Sequence, residues 1–418
     1  MSYFEYRGES LFSESIEIEK IANQIETPFY CYSVNAIRQN IFNFKSEIHG
    51  INEKICFSLK ANSNLSILKV IKDEGFGADV VSIGEFKKSL KAGISPNDIV
   101  FSGVGKSNEE IEFAIREGCF QINAESISEI KRINEISQNL NCIQSIGIRI
   151  NPNIKPDTHS KITTGSLENK FGIPINEVKE IYSRLNLFEN ININGIAFHI
   201  GSQIMDLGPF EKACKIAKEL IDEIETNGVS VKTVDVGGGI GISTSKKFKF
   251  DEYFALIKKY LVNPKRTIIF EPGRSILGNA GIIVSKVIYI KESKNKNFII
   301  IDAGMNNFMR PSLYDAVHPI IPLLKNDTTN NIPTDIVGPI CESSDKFLNL
   351  DKFQNINEGD FIAITDVGAY GFSMSSNYNV RPRIEEILID GDKFYTINKK
   401  EEFIQMIKNE SDSDYLKS

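Results

Sequence analysis

The chain has 418 residues, of which 25% are charged and 41% hydrophobic, so it can bury a large core and build about two domains. Its formal net charge of −7 provides no basic surface of the kind that binds nucleic acid or anionic membranes. The six cysteines are scattered, the first residues lack a secretory signal pattern, and no apolar run reaches the ~20 residues of a membrane span. We therefore expect a cytoplasmic protein that binds neither nucleic acid nor membrane.

Short apolar runs with strand character alternate with helix-like segments over the first two thirds of the chain. The segments between the runs, such as 82–93 and 108–118, repeat apolar residues at helical spacing. This alternation predicts an α/β fold whose parallel sheet closes as a (β/α)8 TIM-type barrel, with an open doubly wound sheet as the alternative. The predicted strands are 55–59, 77–81, 98–102, 120–123, 146–150, 195–199, 232–236 and 267–271.

The sequence changes character after about residue 280. Strand-like runs such as "GIIVSKVIYIKES" and "DFIAITDVGAY" follow one another, separated by turn signals and with few helix-length segments. The N-terminal residues fit no barrel unit, and short connections favour joining them to this later part. We predict a barrel domain over 28–280 and a mainly β domain over 281–418, to which residues 1–27 contribute.

Chemically active side chains stand where the predicted barrel strands end. Lys60 ends the first run in "KICFSLKANSN", where a lysine in water is the ordinary interpretation. His199 and Glu271 end two later runs, Arg149 is the second-last residue of another, and Arg274 follows the last run. Because the C-terminal strand ends of such a barrel form one rim, where active sites lie, these residues are expected near one another.

The stretch "VDVGGGIG" contains Gly237, Gly238 and Gly239 directly after a predicted strand. Successive glycines let backbone N–H groups approach an anion, and late barrel loops are common phosphate sites. The alternative is a tight turn that needs only positive φ angles. No lysine-serine pair follows, so this is not the phosphate loop of an ATPase.

Two other rim elements allow a structural and a functional interpretation. His199 is either a core histidine or a flat ring that stacks on a cofactor, with Ser202 near enough to donate to a phosphate. In "FEPGRSI", Glu271 and Arg274 either brace a turn or act on a cofactor and a carboxylate. A lysine, a phosphate cradle, a stacking ring and a carboxylate together fit pyridoxal 5′-phosphate, with Lys60 as its Schiff-base lysine and no metal.

Seven motifs resemble, in order, those of the fold-type III pyridoxal-phosphate-dependent decarboxylases, and most closely the diaminopimelate decarboxylases among them. They span about residues 27–385 and read "FSLKAN", "HIGSQ", "DVGGGIGI", "EPGRSIL", "DAGMNNFMRPSLYDAVH", "GPICESSD" and "DVGAYGFSMSSNYN". The resemblance implies a barrel with a C-terminal β domain and a homodimer whose active sites are shared between subunits.

The resemblance also implies roles for individual residues. Catalytic roles fall on Lys60, His199 and Cys341, with Cys341 and Glu342 reaching in from the partner subunit. Arg149 is assigned to the surroundings of the cofactor. The implied cofactor contacts are Lys60, His199, Ser202, Gly237, Gly238, Gly239, Glu271, Pro272, Gly273, Arg274 and Tyr370. The implied substrate contacts are Arg274, Arg310, Tyr314, Glu342 and Tyr370.

The charge at the far end of the substrate separates the members of this family. Arg274, Arg310 and Tyr314 suit a distal carboxylate, and Glu342 suits the amine beside it. The resemblance therefore implies meso-2,6-diaminopimelate as substrate, with L-lysine and carbon dioxide as products, the last step of lysine biosynthesis. Cys341 would return a proton to the decarboxylated carbon, because a thiol has a pKa near neutral pH.

Three alternatives remain at this point. A decarboxylase of ornithine, arginine or carboxynorspermidine would share the cofactor residues but not the Arg310–Tyr314 element. A relative of alanine racemase would favour an arginine over Glu271 at the ring nitrogen. A non-catalytic regulatory relative would not need Lys60 and Cys341.

Overall fold

The protein is described here by a computed structural model that covers residues 3–155, 159, 161, 165, 169–243, 245–325, 328–330, 332–411 and 413–417. The chain divides into two compact units. One is Asn40–Ile276, and the other combines Met1–Gln39 with Leu277–Ser418. Within the described residues, no helix is long and apolar enough to cross a bilayer.

The unit Asn40–Ile276 contains a closed barrel of eight parallel strands, as the alternating pattern predicted. The last strand pairs with the first through Ile268 with Glu53 and Phe270 with Ile55, which closes the ring. A short strand, Ile173–Pro174, pairs in parallel with the last two residues of the fifth, Ile150 and Asn151. The barrel strands are β1 (Glu53–Ser58), β2 (Gly77–Val80), β3 (Ile99–Phe101), β4 (Gln121–Ala124), β5 (Gln144–Asn151), β6 (Ile191–Ala197), β7 (Thr233–Asp235) and β8 (Thr267–Phe270).

Helices follow the strands and begin at residues that cap them. The side chains of Asn64, Ser82, Ser107 and Ser126 each accept a hydrogen bond from a backbone N–H in the first turn, which satisfies one otherwise unpaired donor. The barrel helices are Leu65–Asp73, Ile83–Lys91, Asn108–Glu117, Ile127–Asn139, Ile175–Ser183, Gly208–Thr226 and Phe250–Leu261, with Val34–Lys45 before β1. The 3₁₀ turns of this unit are Leu59–Ala61, Pro96–Asp98 and Leu185–Leu187.

Polar side chains occupy part of the barrel interior. Thr233 donates to the Gln121 carboxamide at 2.6 Å, and Gln121 donates to Asn123 at 2.8 Å. Gly147 and Gly195 make room for them, since a Cβ at these positions would lie 2.5 Å from Gln121 Nε2 and 2.3 Å from Thr233 Oγ1. These buried polar groups are thus hydrogen-bonded to one another inside the barrel.

The second unit is built around a mixed sheet. Strand Phe29–Ser33 lies inside it, antiparallel to Gly281–Lys291 and parallel to Glu385–Asp390. Residues 28–39, which the sequence analysis grouped with the barrel, therefore belong to this unit, because the ladder on both sides of that strand is made here. The sheet order is Lys346–Leu350, Thr334–Val337, Asn297–Ile301, Gly281–Lys291, Phe29–Ser33, Glu385–Asp390 and Lys393–Asn398.

Shorter elements complete this second unit. Phe361–Ile364 pairs with Gly281–Lys291 and with Ile320–Pro322, and Thr329–Asn330 pairs with Phe353–Gln354. The N-terminal residues form a three-stranded sheet of Phe4–Arg7, Ser10–Ser13 and Ile16–Glu17. The α-helices of this unit are Ile18–Ala22, Arg310–Tyr314, Phe403–Ser411 and Asp414–Lys417, and the 3₁₀ turns are Gly278–Ala280, Phe372–Met374 and Tyr378–Val380. The short helix Arg274–Leu277 spans the boundary of the two units in the chain.

Candidate active site

Lys60 lies in the turn Leu59–Ala61 that directly follows β1. Its Nζ is 2.5 Å from Asp79 Oδ2, and the Ser58 hydroxyl donates to the same oxygen at 2.5 Å. The Asp79 side chain is fully buried, whereas that of Lys60 is 36% exposed. A buried carboxylate therefore holds the amine at the end of the barrel, with part of the lysine side chain still accessible.

A cavity of about 400 Å³ opens at the C-terminal ends of the barrel strands. This volume lies within the range of small-molecule sites in proteins. Lys60, Arg149, His199 and Glu271, which the sequence analysis expected near one another, all border it. The strand ends thus bring these four predicted residues to one place.

His199 is partly buried, and its Nδ1 accepts a hydrogen bond from the backbone N–H of Gly238 at 3.3 Å. Burial lowers the pKa of the imidazole well below its usual value, and the positive charges of Arg149 and Lys60 lower it further. Arg149 is held by Glu125, whose Oε1 lies 2.8 Å from its guanidinium. The ring of His199 is therefore neutral, with Nδ1 as the acceptor.

Glu271 and Asp235 form a hydrogen-bonded pair of buried carboxyls next to the cavity. Asn123 donates to Asp235 Oδ2 at 2.7 Å, and the Gly237 N–H donates to Asp235 Oδ1 at 2.9 Å. Burial raises the pKa of Glu271 well above its usual value, and the neighbouring charges of Asp235 and Asp79 raise it further. Burial likewise raises the pKa of Asp235. Both shifts favour a state in which the pair keeps a proton, and a cation beside the pair would favour its ionised form instead.

The three glycines of the predicted cradle are required by close backbone packing. A Cβ on Gly238 would lie 2.1 Å from the Glu271 carbonyl oxygen, and one on Gly239 would lie 2.3 Å from that of Gly201. Gly237 and Gly239 have φ angles of +65° and +98°. The loop is also hydrogen-bonded to the segment after β6, since the Ile204 N–H donates to the Gly239 carbonyl at 3.0 Å. The turn therefore needs glycine, and bare backbone lies beside His199 and Glu271, while the phosphate role of these glycines stays a prediction.

The segment Pro272–Arg274 packs against the lysine turn and the loop after β6. The Ser58 N–H donates to the Pro272 carbonyl at 3.1 Å, and a Cβ on Gly273 would lie 3.0 Å from the Ser58 Cβ. The Arg274 guanidinium donates to Ser202 Oγ at 3.1 Å. Ser202 and Arg274, predicted from separate motifs, are thus neighbours.

The remaining predicted residues lie in the second unit. Arg310 is buried in the helix Arg310–Tyr314, with its guanidinium 5.4 Å from the centre of the Tyr314 ring. Cys341 and Glu342 lie on an exposed loop after the strand Thr334–Val337. Tyr370 is half-buried and has a φ angle of +57°.

Two buried acids of the barrel escaped the sequence analysis. Asp79 stands in "GADVV" and Asp235 in "TVDV", both inside runs that were interpreted as plain strands. The signal was an acidic residue inside an apolar strand, since a buried carboxylate needs partners to offset its loss of hydration. The two acids matter because Asp79 lies next to Lys60 and Asp235 next to Glu271 in the folded chain. The sequence alone does not show these distances.

Comparison with known proteins identifies the family. Residues 34–278 match the family model described as pyridoxal-dependent decarboxylase, pyridoxal binding domain. The diaminopimelate decarboxylase of Aquifex aeolicus is 40% identical over 410 residues, which cover 97% of each chain. That of Helicobacter pylori strain J99 is 44% identical over 389 residues, 92% of this chain and 95% of the relative.

Solved structures agree with the sequence comparison. The crystal structure of Helicobacter pylori diaminopimelate decarboxylase complexed with L-lysine superposes with a TM-score of 0.90 at 42% identity, covering 94% of this chain and 99% of the other. The M. jannaschii diaminopimelate decarboxylase in complex with L-lysine has a TM-score of 0.91 at 32% identity, covering 99% and 98% of the two chains. The chain belongs to the diaminopimelate decarboxylase family of pyridoxal-dependent decarboxylases.

Proposed function

We propose that this chain is a carboxy-lyase that converts meso-2,6-diaminopimelate to L-lysine and carbon dioxide, the last step of lysine biosynthesis. The observation that supports this most is the cavity in which Lys60, His199 and the Glu271 carboxyl meet beside a bare glycine loop. The family membership selects the reaction among those that such a cavity could serve. A cytoplasmic location accords with its six free cysteines, all at described positions.

The residues around the cavity fit pyridoxal 5′-phosphate. Lys60 would bind its aldehyde carbon, and the N–H groups of Gly237–Gly239 with Ser202 would hold its phosphate. When bound, the cofactor supplies an electron-accepting ring that stabilises the carbanion left by carbon dioxide. Because burial and their mutual proximity raise the pKa values of Asp235 and Glu271, a protonated ring nitrogen beside Glu271 would favour its ionised form.

His199 and Asp79 prepare the site in different ways. The neutral imidazole of His199 presents a flat face without adding a positive charge that would compete with a cationic cofactor ring. Asp79 and Ser58 fix the position of the lysine side chain, since both hydrogen bonds converge on one carboxylate oxygen. Tyr370 and Arg274 complete the proposed contacts with cofactor and substrate, as the family motifs imply.

Substrate selection rests on Arg310 and Tyr314. Arg310 carries a planar guanidinium of the kind that binds carboxylates in a bidentate manner, and this group lies 5.4 Å from the centre of the Tyr314 ring. Glu342 would bind the distal ammonium, and Cys341 would hold the proton that replaces the departing carboxylate. In the proposed homodimer, both residues act in the active site of the partner subunit.

The proposal is tested by comparing substrates. Purified enzyme saturated with pyridoxal phosphate is incubated separately with meso-diaminopimelate, L-ornithine and L-arginine, and kcat/KM is measured for each. We expect kcat/KM for meso-diaminopimelate to exceed the others by at least about a hundredfold, because ornithine and arginine carry no distal carboxylate for Arg310 to bind. Equal or better turnover of ornithine would contradict the substrate assignment. Lack of the cofactor absorption band would instead favour a non-catalytic relative.

A further inference from the structure

The loop that carries Cys341 and Glu342 is anchored at its base by Asp345. The buried Asp345 carboxylate accepts hydrogen bonds from the N–H groups of Ile340 and Met305, each at 2.7 Å. A side chain at Gly338 would not fit, since its Cβ would lie 2.4 Å from Asp345 Oδ2. These contacts fix the two ends of the loop but leave its tip, with Cys341 and Glu342, exposed.

A second segment, the turn Asn377–Val380, contacts that tip. The Tyr378 hydroxyl donates to Glu342 Oε1. The Asn379 side-chain oxygen accepts a hydrogen bond from the Cys341 N–H at 3.1 Å. Each of two adjacent residues of the turn therefore contacts one of two adjacent residues of the loop.

The backbone of this turn is unusual where it makes these contacts. Asn379 and Val380 have φ angles of +55° and +54°, a region that β-branched residues rarely adopt. Packing of the valine does not explain this conformation, since Val380 is 67% exposed. The turn is instead held by Asn377, whose carboxamide donates to Glu401 at 2.6 Å and to the Arg381 carbonyl at 3.1 Å. Strained backbone that the surrounding structure maintains is typical of functional segments.

We propose that Tyr378 and Asn379 are positioning residues that set the orientation of Glu342 and Cys341 for the reaction. An exposed glutamate otherwise samples many rotamers, and fixing it in advance removes that entropy loss from substrate binding. The hydrogen bond from Tyr378 engages Oε1 and is compatible with an ammonium at Oε2. Asn379 holds the backbone from which the Cys341 thiol projects. This inference rests on the proposed roles of Glu342 and Cys341.

The hydroxyl of Tyr378 is suited to a permanent donor role. Its hydrogen bond to Glu342 raises its pKa above the usual value, so it stays protonated at neutral pH. Phenylalanine at this position removes only the hydroxyl and keeps the ring.

The first test uses Tyr378→Phe with the exposed Tyr395→Phe as a matched control. We expect Tyr378→Phe to raise KM for meso-diaminopimelate about five- to tenfold, with kcat changed less than about threefold and cofactor affinity unchanged. Tyr395→Phe should leave KM unchanged. An unchanged KM in Tyr378→Phe, with Glu342→Gln impaired, would overturn the inference and leave the proposed function intact.

A double-mutant cycle separates positioning from an independent effect. If Tyr378 acts through Glu342, adding Tyr378→Phe to Glu342→Gln should raise KM no further than Glu342→Gln alone. Additive effects on KM would overturn the inference. If Glu342→Gln has the KM of the wild type, the proposed role of Glu342 in substrate binding and this inference are both wrong. Lysine formation by the wild type would still support the proposed decarboxylase function.

The role of Asn379 has a readout that does not depend on activity. Asn379→Gly keeps the left-handed backbone accessible but removes the acceptor, and Asn141→Gly is the control, since Asn141 has a similar φ of +52°. Hydrogen exchange of the Cys341 amide should be at least about fivefold faster in Asn379→Gly and unchanged in Asn141→Gly. Wild-type exchange in Asn379→Gly would overturn this part of the inference, even if the enzyme proved to act on another substrate.

Discussion

At the scale of single residues, the barrel site contains three buried acids, Asp79, Asp235 and Glu271, and the charges of Asp235 and Asp79 raise the pKa of Glu271. Asp79 fixes the lysine, and Asp235 links Glu271 to the N–H of the glycine loop at Gly237. Lys60 forms an ion pair with Asp79, and its positive charge only partly offsets the raised pKa of Glu271. The site is therefore set up to gain from binding a cation at Glu271.

This arrangement predicts how the cofactor-free protein responds to pH. Folding raises the pKa values of Asp235 and Glu271 above those of the unfolded chain, which lie near ~4. The folded state then binds more protons than the unfolded state, so the pair makes the free energy of unfolding fall as pH rises above ~4. Urea unfolding of cofactor-free protein from pH 4 to 8 should show a shallower fall in Asp235→Asn than in the wild type. Parallel curves would show that the pair does not carry a raised pKa.

Arg310 gives a second prediction at this scale. Arg310→Lys keeps the charge but loses the planar fork, so kcat/KM for meso-diaminopimelate should fall about 10- to 100-fold. Cofactor affinity, measured from the absorption band, should change less than about twofold, and the exposed Arg7→Lys serves as the control for purification and assay. A wild-type kcat/KM in Arg310→Lys would remove the main reason for preferring this substrate to ornithine.

At the scale of elements, the barrel was predictable because its strands are short, buried and regularly separated by amphipathic helices. The predicted runs 55–59 and 267–271 differ from β1 and β8 only at their ends, because Leu59 and Lys60 enter a 3₁₀ turn and Glu271 follows the last ladder pair. The sequence could not show which of the two units contains the strand Phe29–Ser33. A buried strand has the same apolar pattern in either unit, and only its pairing partners reveal where it belongs.

The site was predictable in part for a similar reason. Lys60, His199 and Glu271 each lie within two residues after a barrel strand, and closure of the barrel brings these strand ends together. Partners such as Asp79 for Lys60 and Tyr378 for Glu342 depend on distances between segments that are far apart in the chain, so motif spacing could not supply them.

The glycine loop supports a prediction that belongs to this scale. Gly238→Ala should destabilise the protein by about 1–3 kcal/mol and weaken cofactor binding, because its Cβ would meet the Glu271 carbonyl oxygen at 2.1 Å. Gly84→Ala is the control, since in its helix a Cβ meets only Ser82 Oγ at 3.7 Å. Thermal unfolding and cofactor titration measure both effects. Equal stability of the two variants would show that the loop can move away from Glu271.

At the scale of the whole molecule, the proposal requires residues of two subunits in each active site. Mixing Lys60→Ala with Cys341→Ala under proven subunit exchange should restore about a quarter of wild-type activity, since half of the dimers are mixed and each has one intact site. Sedimentation velocity would confirm the dimer. Inactive variants that never recover on mixing would contradict the shared site.

The central claim is that Lys60 is the residue through which this enzyme decarboxylates diaminopimelate. The most direct measurement is the yield of carbon dioxide and L-lysine from meso-diaminopimelate, for wild type and Lys60→Ala, each supplied with pyridoxal phosphate. The wild type should release the two products in equal amounts, and Lys60→Ala should form less than about a thousandth as much lysine in the same time. Lysine formation by Lys60→Ala at a comparable rate, or none by wild type with the cofactor bound, would contradict the claim.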